Sequence, residues 1–174
     1  MQKIFHSKFN GEVKVKKYLW ETSVWVGGFE QSGPLVRDIW QKAIKGLPPP
    51  GRGEALRNVL ILGLGCGIAA KLLIKKFPQA KITGVEIDPV MIEIGKKYFN
   101  LLDIKIKITD AKKFIKTTKQ KFDLILVDTY LGGKQVLLKN LKNVLAKEGV
   151  VLVNKLENLK NEVLIFKAPL DLFE

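Results

Sequence analysis

The sequence predicts an α/β fold, a doubly wound and mostly parallel sheet with a small N-terminal β extension. Three observations point there. Residues 59–62 and 150–153 are unbroken apolar runs and 122–127 is apolar but for Asp123, as expected of parallel strands buried on both faces. Helical patterns separate these runs. Residues 104–108 instead alternate Ile104, Ile106 and Ile108 with Lys105 and Lys107, and lysine on one face suits a sheet edge. With right-handed crossovers, and counting the strand at 59–62 as the first, the expected order is 3-2-1-4-5.

Each element follows from local chemistry. Residues 1 to about 30 read as a small β element, with Val13, Val15 and Tyr18 among lysines, a turn at Asn10-Gly11, and a second short strand at 23–26. A helix is expected over about 35–45, with Leu35, Ile39 and Ala43 on its apolar face. Pro48-Pro49-Pro50-Gly51 is a stiff linker and divides the chain into an N-terminal extension, 1–50, and an α/β domain, 51–174. After the strand at 59–62, a helix runs over 68–77 and stops at Pro78. A strand over 81–85 ends at Glu86. Asp88 and Pro89 are the N-cap and first residue of a helix with Val90, Ile94 and Tyr98 on its stripe. Asp110 precedes a short basic helix over 111–117. Another helix is expected over 134–146, with Leu137, Leu141 and Val144 inward and Gly149 beyond its end. Residues 162–167 read as a last, antiparallel strand.

Composition narrows the function. No apolar run reaches the ~20 residues of a membrane helix, and the first residues lack an apolar signal core, so a cytoplasmic protein is expected. Cys66 is the only cysteine and His6 the only histidine. That excludes an internal disulfide and a cysteine-based metal site, so no metal is expected. The net charge of +13 raises a polyanionic partner such as RNA. Only Arg37, Arg52 and Arg57 are arginine, and the lysines are spread along the chain, so a solvated lysine surface is the favoured reading. Trp20, Trp25 and Trp40 read as hairpin packing or a homodimer contact.

The candidate site lies at the carboxyl ends of the strands. Gly63, Gly65 and Gly67 let the chain turn tightly and approach a ligand, and a helix N-terminus follows. Glu86, at the end of the next strand, can accept from both hydroxyls of a ribose. The spacing is GxGxG, the form more usual for adenosylmethionine than for dinucleotides. Asp110 and Asp128 also end strands, and the switch point falls between residues 62 and 127. Each has a structural alternative. The glycines suit any tight turn, Glu86 could serve a helix dipole, Asp110 could be only an N-cap, and Asp128 could orient a loop. Cys66 reads as a small filler and His6 as a surface residue.

These stretches resemble the class I adenosylmethionine-dependent transferases and, within them, the spermidine synthase group. GLGCG (63–67) is similar to the glycine loop and VEIDP (85–89) to the ribose-binding turn. TDAKKFI (109–115) is similar to the adenine segment, FDLILVDTY (122–130) to the catalytic strand, and GVVLVN (149–154) to the fifth strand. VGGFEQSG (26–33), behind its β element, looks like the family's N-terminal hairpin and glutamine segment. The resemblance implies that Gly63, Gly65, Gly67 and Glu86 hold the nucleoside, Asp110 its adenine amino group, and Gln31 its amino-acid-like tail. Asp128 would take the proton of an attacking amine. Apart from the resemblance, Tyr130 lies next to the site in sequence and is the candidate aromatic for substrate contact. The implied donor is S-adenosylmethionine or its decarboxylated form, the group moved aminopropyl or methyl, and the partner a small molecule. A methyltransferase acting on RNA or a small molecule is one alternative, and a non-catalytic nucleoside-binding or dimerising relative is another. The chain departs from the family at Leu131, at Pro34-Leu35-Val36-Arg37 and at Cys66, where acidic residues are usual. By bulk charge, a +13 chain without them is a poor polyamine binder.

Overall fold

A computed structural model describes residues 1–47, 56–101, 103–157 and 160–167. The linker expected at 48–51 lies outside them. Four strands come first, β1 (Gln2–Ser7), β2 (Gly11–Tyr18), β3 (Glu21–Val26) and β4 (Phe29–Ser32), paired antiparallel in sequence order. The expected turn at Asn10-Gly11 joins β1 to β2. Val13, Val15, Val24 and Val26 face inward and pack on Cys66, Met91 and Ile94. The sheet therefore rests on the α/β core.

Helix α1 (Pro34–Lys45) starts at Pro34, and Glu30 caps it, its Oε1 accepting from Leu35 N–H at 2.9 Å. Its buried stripe is Val36, Trp40 and Ile44, one position on from the expected one, and Leu35 faces solvent. Ile39 and Ala43 are half-buried. The difference arises because α1 is clamped between two elements, packing on α2 and on the last strand.

The central sheet has six strands: β5 (Asn58–Leu62), β6 (Lys81–Glu86), β7 (Lys105–Ile108), β8 (Phe122–Val127), β11 (Leu145–Glu157) and β12 (Lys160–Lys167). A two-residue pair, β9 (Tyr130–Leu131) and β10 (Lys134–Gln135), lies between β8 and β11 in sequence. The spatial order is β12-β11-β8-β5-β6-β7, the expected 3-2-1-4-5 with an antiparallel strand added at one end. β7 is the lysine-bearing edge, as predicted.

Helix α2 (Ile68–Lys76) packs with α1 over one face, where Leu73, Trp40 and Ile61 meet. Helix α3 (Pro89–Tyr98) has the predicted cap, Asp88 Oδ1 accepting from Val90 N–H at 2.9 Å. Asp110 likewise caps α4 (Ala111–Thr117) through Lys113 N–H at 2.9 Å. The other face of the sheet buries Leu60, Phe122 and Ile125 against Ile115 of α4 and against Leu138, Leu141 and Val144.

The helix expected over 134–146 does not form. The chain makes β10, an irregular stretch, and a single 3-10 turn (Leu141–Asn143), and has entered β11 by Leu145. Asn140 adopts a left-handed conformation, φ 63°, which breaks any helix there. Leu138, Leu141 and Val144 recur every three residues, a spacing that a turn satisfies as well as a helix does. Leu137, expected inward, is exposed. Gly149 is not a helix C-cap but sits in the irregular start of β11, where the register with β8 shifts between Leu145 and Val150.

Candidate functional site

A cavity of about 920 Å³ opens beyond the carboxyl ends of β5, β6 and β8, with β4, α1 and β12 forming its outer wall. The switch point lies at its floor. There Asp128 N–H donates to the Leu62 carbonyl at 2.8 Å, and Gly63 N–H to the Val85 carbonyl at 3.0 Å. Gly63 has φ +83°, and a Cβ on it would run into the Asp128 carbonyl. Only glycine lets β5 turn this close to β8.

The side around the glycine loop is built mostly from one short stretch of chain. Glu86 is buried at the end of β6. Its Oε2 accepts from Gly65 N–H at 2.7 Å, and its Oε1 from Ile87 N–H at 2.9 Å and Asp88 N–H at 3.0 Å. The carboxylate thus ties the glycine loop to the strand end. Burial pushes it above the ordinary carboxylate range, although the Asp88 and Gly65 N–H groups pull it back. Gly65 lines the cavity, and the wall opposite begins at Ser32, whose Oγ accepts from Cys66 N–H at 3.3 Å. Gly67 does not line it. It has φ +87° at the start of α2, and a Cβ there would strike Leu101. Its role is turning and packing. Cys66 is buried beside Glu86 and Asp88, and burial pushes its thiol up to about 12, so it is the inert filler expected. Asp110 lines the cavity and is also the cap of α4 described above. Gln31 lines the cavity from β4, half-buried.

The other side is assembled from distant segments. Asp128 follows β8. Its Oδ2 accepts from the indole N–H of Trp40 at 2.8 Å and its Oδ1 from Asn154 Nδ2 at 2.8 Å. Burial raises its pKa, and the Asn154 and Trp40 donors partly offset that. Tyr130 lines the same pocket. Its O–H donates to the Asn154 carbonyl at 3.2 Å, and both burial and the nearby Asp128 charge raise its pKa. Gln135 Nε2 donates to that carbonyl at 2.9 Å.

Sequence reasoning missed two of these residues. Trp40 was expected in hairpin or dimer packing; instead its side chain is wholly buried and bonded to Asp128. Trp20 does sit exposed at the β2–β3 turn, and Trp25 is half-buried on β3. Asn154 was read only as the end of a strand. The available signal was its position, a lone polar residue following the apolar run 150–153, at the same carboxyl-end side of the sheet as Glu86 and Asp128.

The cavity's charge opposes that of the chain. Among the described residues, six carboxylates line it, Glu30, Asp38, Glu86, Asp110, Asp128 and Glu162, with Lys42 the one lysine. The whole chain carries 30 basic and 17 acidic residues. Bulk charge therefore misjudges the site. Leu131 does stand in its wall without an acid, but Glu30, Asp38 and Glu162 supply acid from other positions.

Known proteins share the domain and the fold. The spermine/spermidine synthase domain profile matches residues 38–168. The eEF1A lysine and N-terminal methyltransferase homolog of Drosophila melanogaster is 30% identical over 62% of this chain and 19% of its own length. The polyamine aminopropyltransferase of Sulfurisphaera tokodaii is 40% identical over 41% of this chain and 26% of its own. The spermidine synthase of Thermotoga maritima superposes with a TM-score of 0.71 at 16% identity, covering 89% of this chain and 57% of that one, and shares the fold. The chain thus spans about a fifth to a quarter of the length of these two curated relatives.

Proposed function

This chain belongs to the spermine/spermidine synthase domain family, and from that premise we propose that its cavity binds an adenosyl sulfonium and directs transfer of an aminopropyl or methyl group to a small-molecule amine. The observation that carries this reading is the concentration of acid. Among the described residues, six acidic residues line one cavity and one basic residue, Lys42, does. A cavity of that sign attracts cations, and both a sulfonium and an ammonium are cations.

The residues present fit such a donor. Gly63 and Gly65 would let the backbone approach a nucleoside, Glu86 would hold its ribose, Asp110 its adenine amino group and Gln31 its tail. Once bound, the donor supplies a carbon attached to positively charged sulfur, which departs as a neutral thioether. Asp128 accepts the proton that the amine gives up as the new nitrogen–carbon bond forms. Its raised pKa brings a carboxylate closer to neutral pH, where it is a stronger base than an ordinary aspartate. Trp40, Tyr130 and Leu131 line the cavity with Asp128, where an acceptor amine would bind.

Calorimetry tests this reading with S-adenosylmethionine, its decarboxylated form and methylthioadenosine. Binding of at least one, weakened about tenfold or more by Glu86→Ala, is the expected result. If none binds, the proposal fails. Tighter binding of the decarboxylated donor points to aminopropyl transfer, and tighter binding of S-adenosylmethionine to methyl transfer.

A further inference from the structure

We propose that Trp40 is a positioning residue for Asp128, its indole N–H fixing one carboxylate oxygen while Asn154 fixes the other. The inference rests on Asp128 being the proton acceptor.

The geometry gives each carboxylate oxygen one internal donor, at 2.8 Å in both cases. A carboxylate oxygen has about two acceptor sites, so each oxygen retains one for a substrate. Neither donor is free to turn away. Trp40 is wholly buried among Val36, Ile44 and Leu73. Asn154 is buried at the end of the central strand region, and its own carbonyl accepts from Tyr130 and Gln135. The plane of the Asp128 carboxylate is therefore set from two sides, by helix α1 and strand β11.

Trp40 does this in a way few side chains could. An indole N–H only donates and does not titrate, so Oδ2 must act as the acceptor at any pH. The bond favours the ionised carboxylate, against the push of burial. The other ionisable groups around the cavity are Tyr130 on β9, Glu30 on β4, Asp38 and Lys42 on α1, Glu86 on β6, Asp110 before α4 and Glu162 on β12. Of these, Tyr130 is the one whose own ionisation is coupled to the Asp128 charge.

Trp40→Phe keeps an aromatic ring and removes the N–H. The readout is the titration of the Asp128 side-chain carboxyl carbon by NMR, assigned with Asp128→Asn, alongside kcat and KM. The expected result is a higher Asp128 midpoint, a matching shift of the acid limb of kcat to higher pH, and a fall in kcat of about tenfold or more, with KM changed by less than about threefold. A role limited to filling space has the opposite signature, because water entering the vacated volume lowers the midpoint. A lowered or unchanged midpoint overturns the proposal. If Trp40→Phe loses cooperative unfolding, a benzothiophene analogue of tryptophan at position 40 has the same shape without the N–H, and the same midpoint decides. Intact turnover in Asp128→Asn removes the base assignment. The midpoint shift in Trp40→Phe then still reports whether the indole holds the carboxylate.

Discussion

The two halves of the cavity are built by different rules. In the proposed nucleoside half, Gly65 and Glu86 lie 21 residues apart within one strand–helix–strand unit. In the proposed acceptor half, Asp128 is held by Trp40, 88 residues before it, and by Asn154, 26 residues after. The first half is a local arrangement, since turn, helix start and strand end follow one another along the chain. The second exists only once α1, β8 and β11 have been packed. One consequence is that a substitution in the nucleoside half should act on donor affinity alone, whereas one in the acceptor half should act on turnover and on folding together.

The sharpest way to break this contrast is Asp128→Asn. It should lower turnover by roughly 10²–10⁴-fold, the range for loss of a general base, while donor binding by calorimetry stays within about twofold. Equal loss of binding and turnover would merge the two halves. Gly63→Ala lies on the seam between them. A Cβ there meets the Asp128 backbone from a left-handed conformation, so a loss of about 3 kcal/mol or more is expected in denaturant unfolding. Glu86→Gln sharpens the nucleoside side. It keeps the shape and removes a charge-assisted acceptor of three N–H groups, so donor affinity should fall about ten- to a hundredfold, with kcat at saturation nearly unchanged.

A pH scan gives a smaller effect of defined sign. Asp128 and Glu86 both have raised pKa values in the fold. Between the unfolded value and that raised value the folded state binds more protons, so stability falls as pH rises through this window. Turnover runs the other way, gained as Asp128 deprotonates, with its acid limb above the ordinary carboxylate range. Unfolding and rate profiles measured on one sample check both signs.

Legibility followed the same division. The order of the parallel strands was readable because buried strands are mostly apolar and the edge strand shows its lysines. The caps Asp88 and Asp110 were readable because capping is local. Trp40 was not, since nothing within a few residues of an indole says which carboxylate it will meet. The stretch from 134 to 146 was misread for a related reason. Leu137, Leu141 and Val144 have helical spacing, but the left-handed Asn140 and the demands of β11 outweighed it. That correction predicts a pair of unequal outcomes. Leu141→Ala should cost about 2–5 kcal/mol, as a buried leucine does, and Leu137→Ala less than about 0.5 kcal/mol. A helix with both residues inward would make the two costs alike.

The central claim, a cation-seeking cavity inside a basic protein, is tested most directly by comparing decarboxylated S-adenosylmethionine with the neutral methylthioadenosine in calorimetric titrations at low and high salt. The six carboxylates predict tighter binding of the cationic ligand and a preference that narrows as salt screens the field. Equal affinity, or a preference for the neutral nucleoside that salt does not change, would contradict the account.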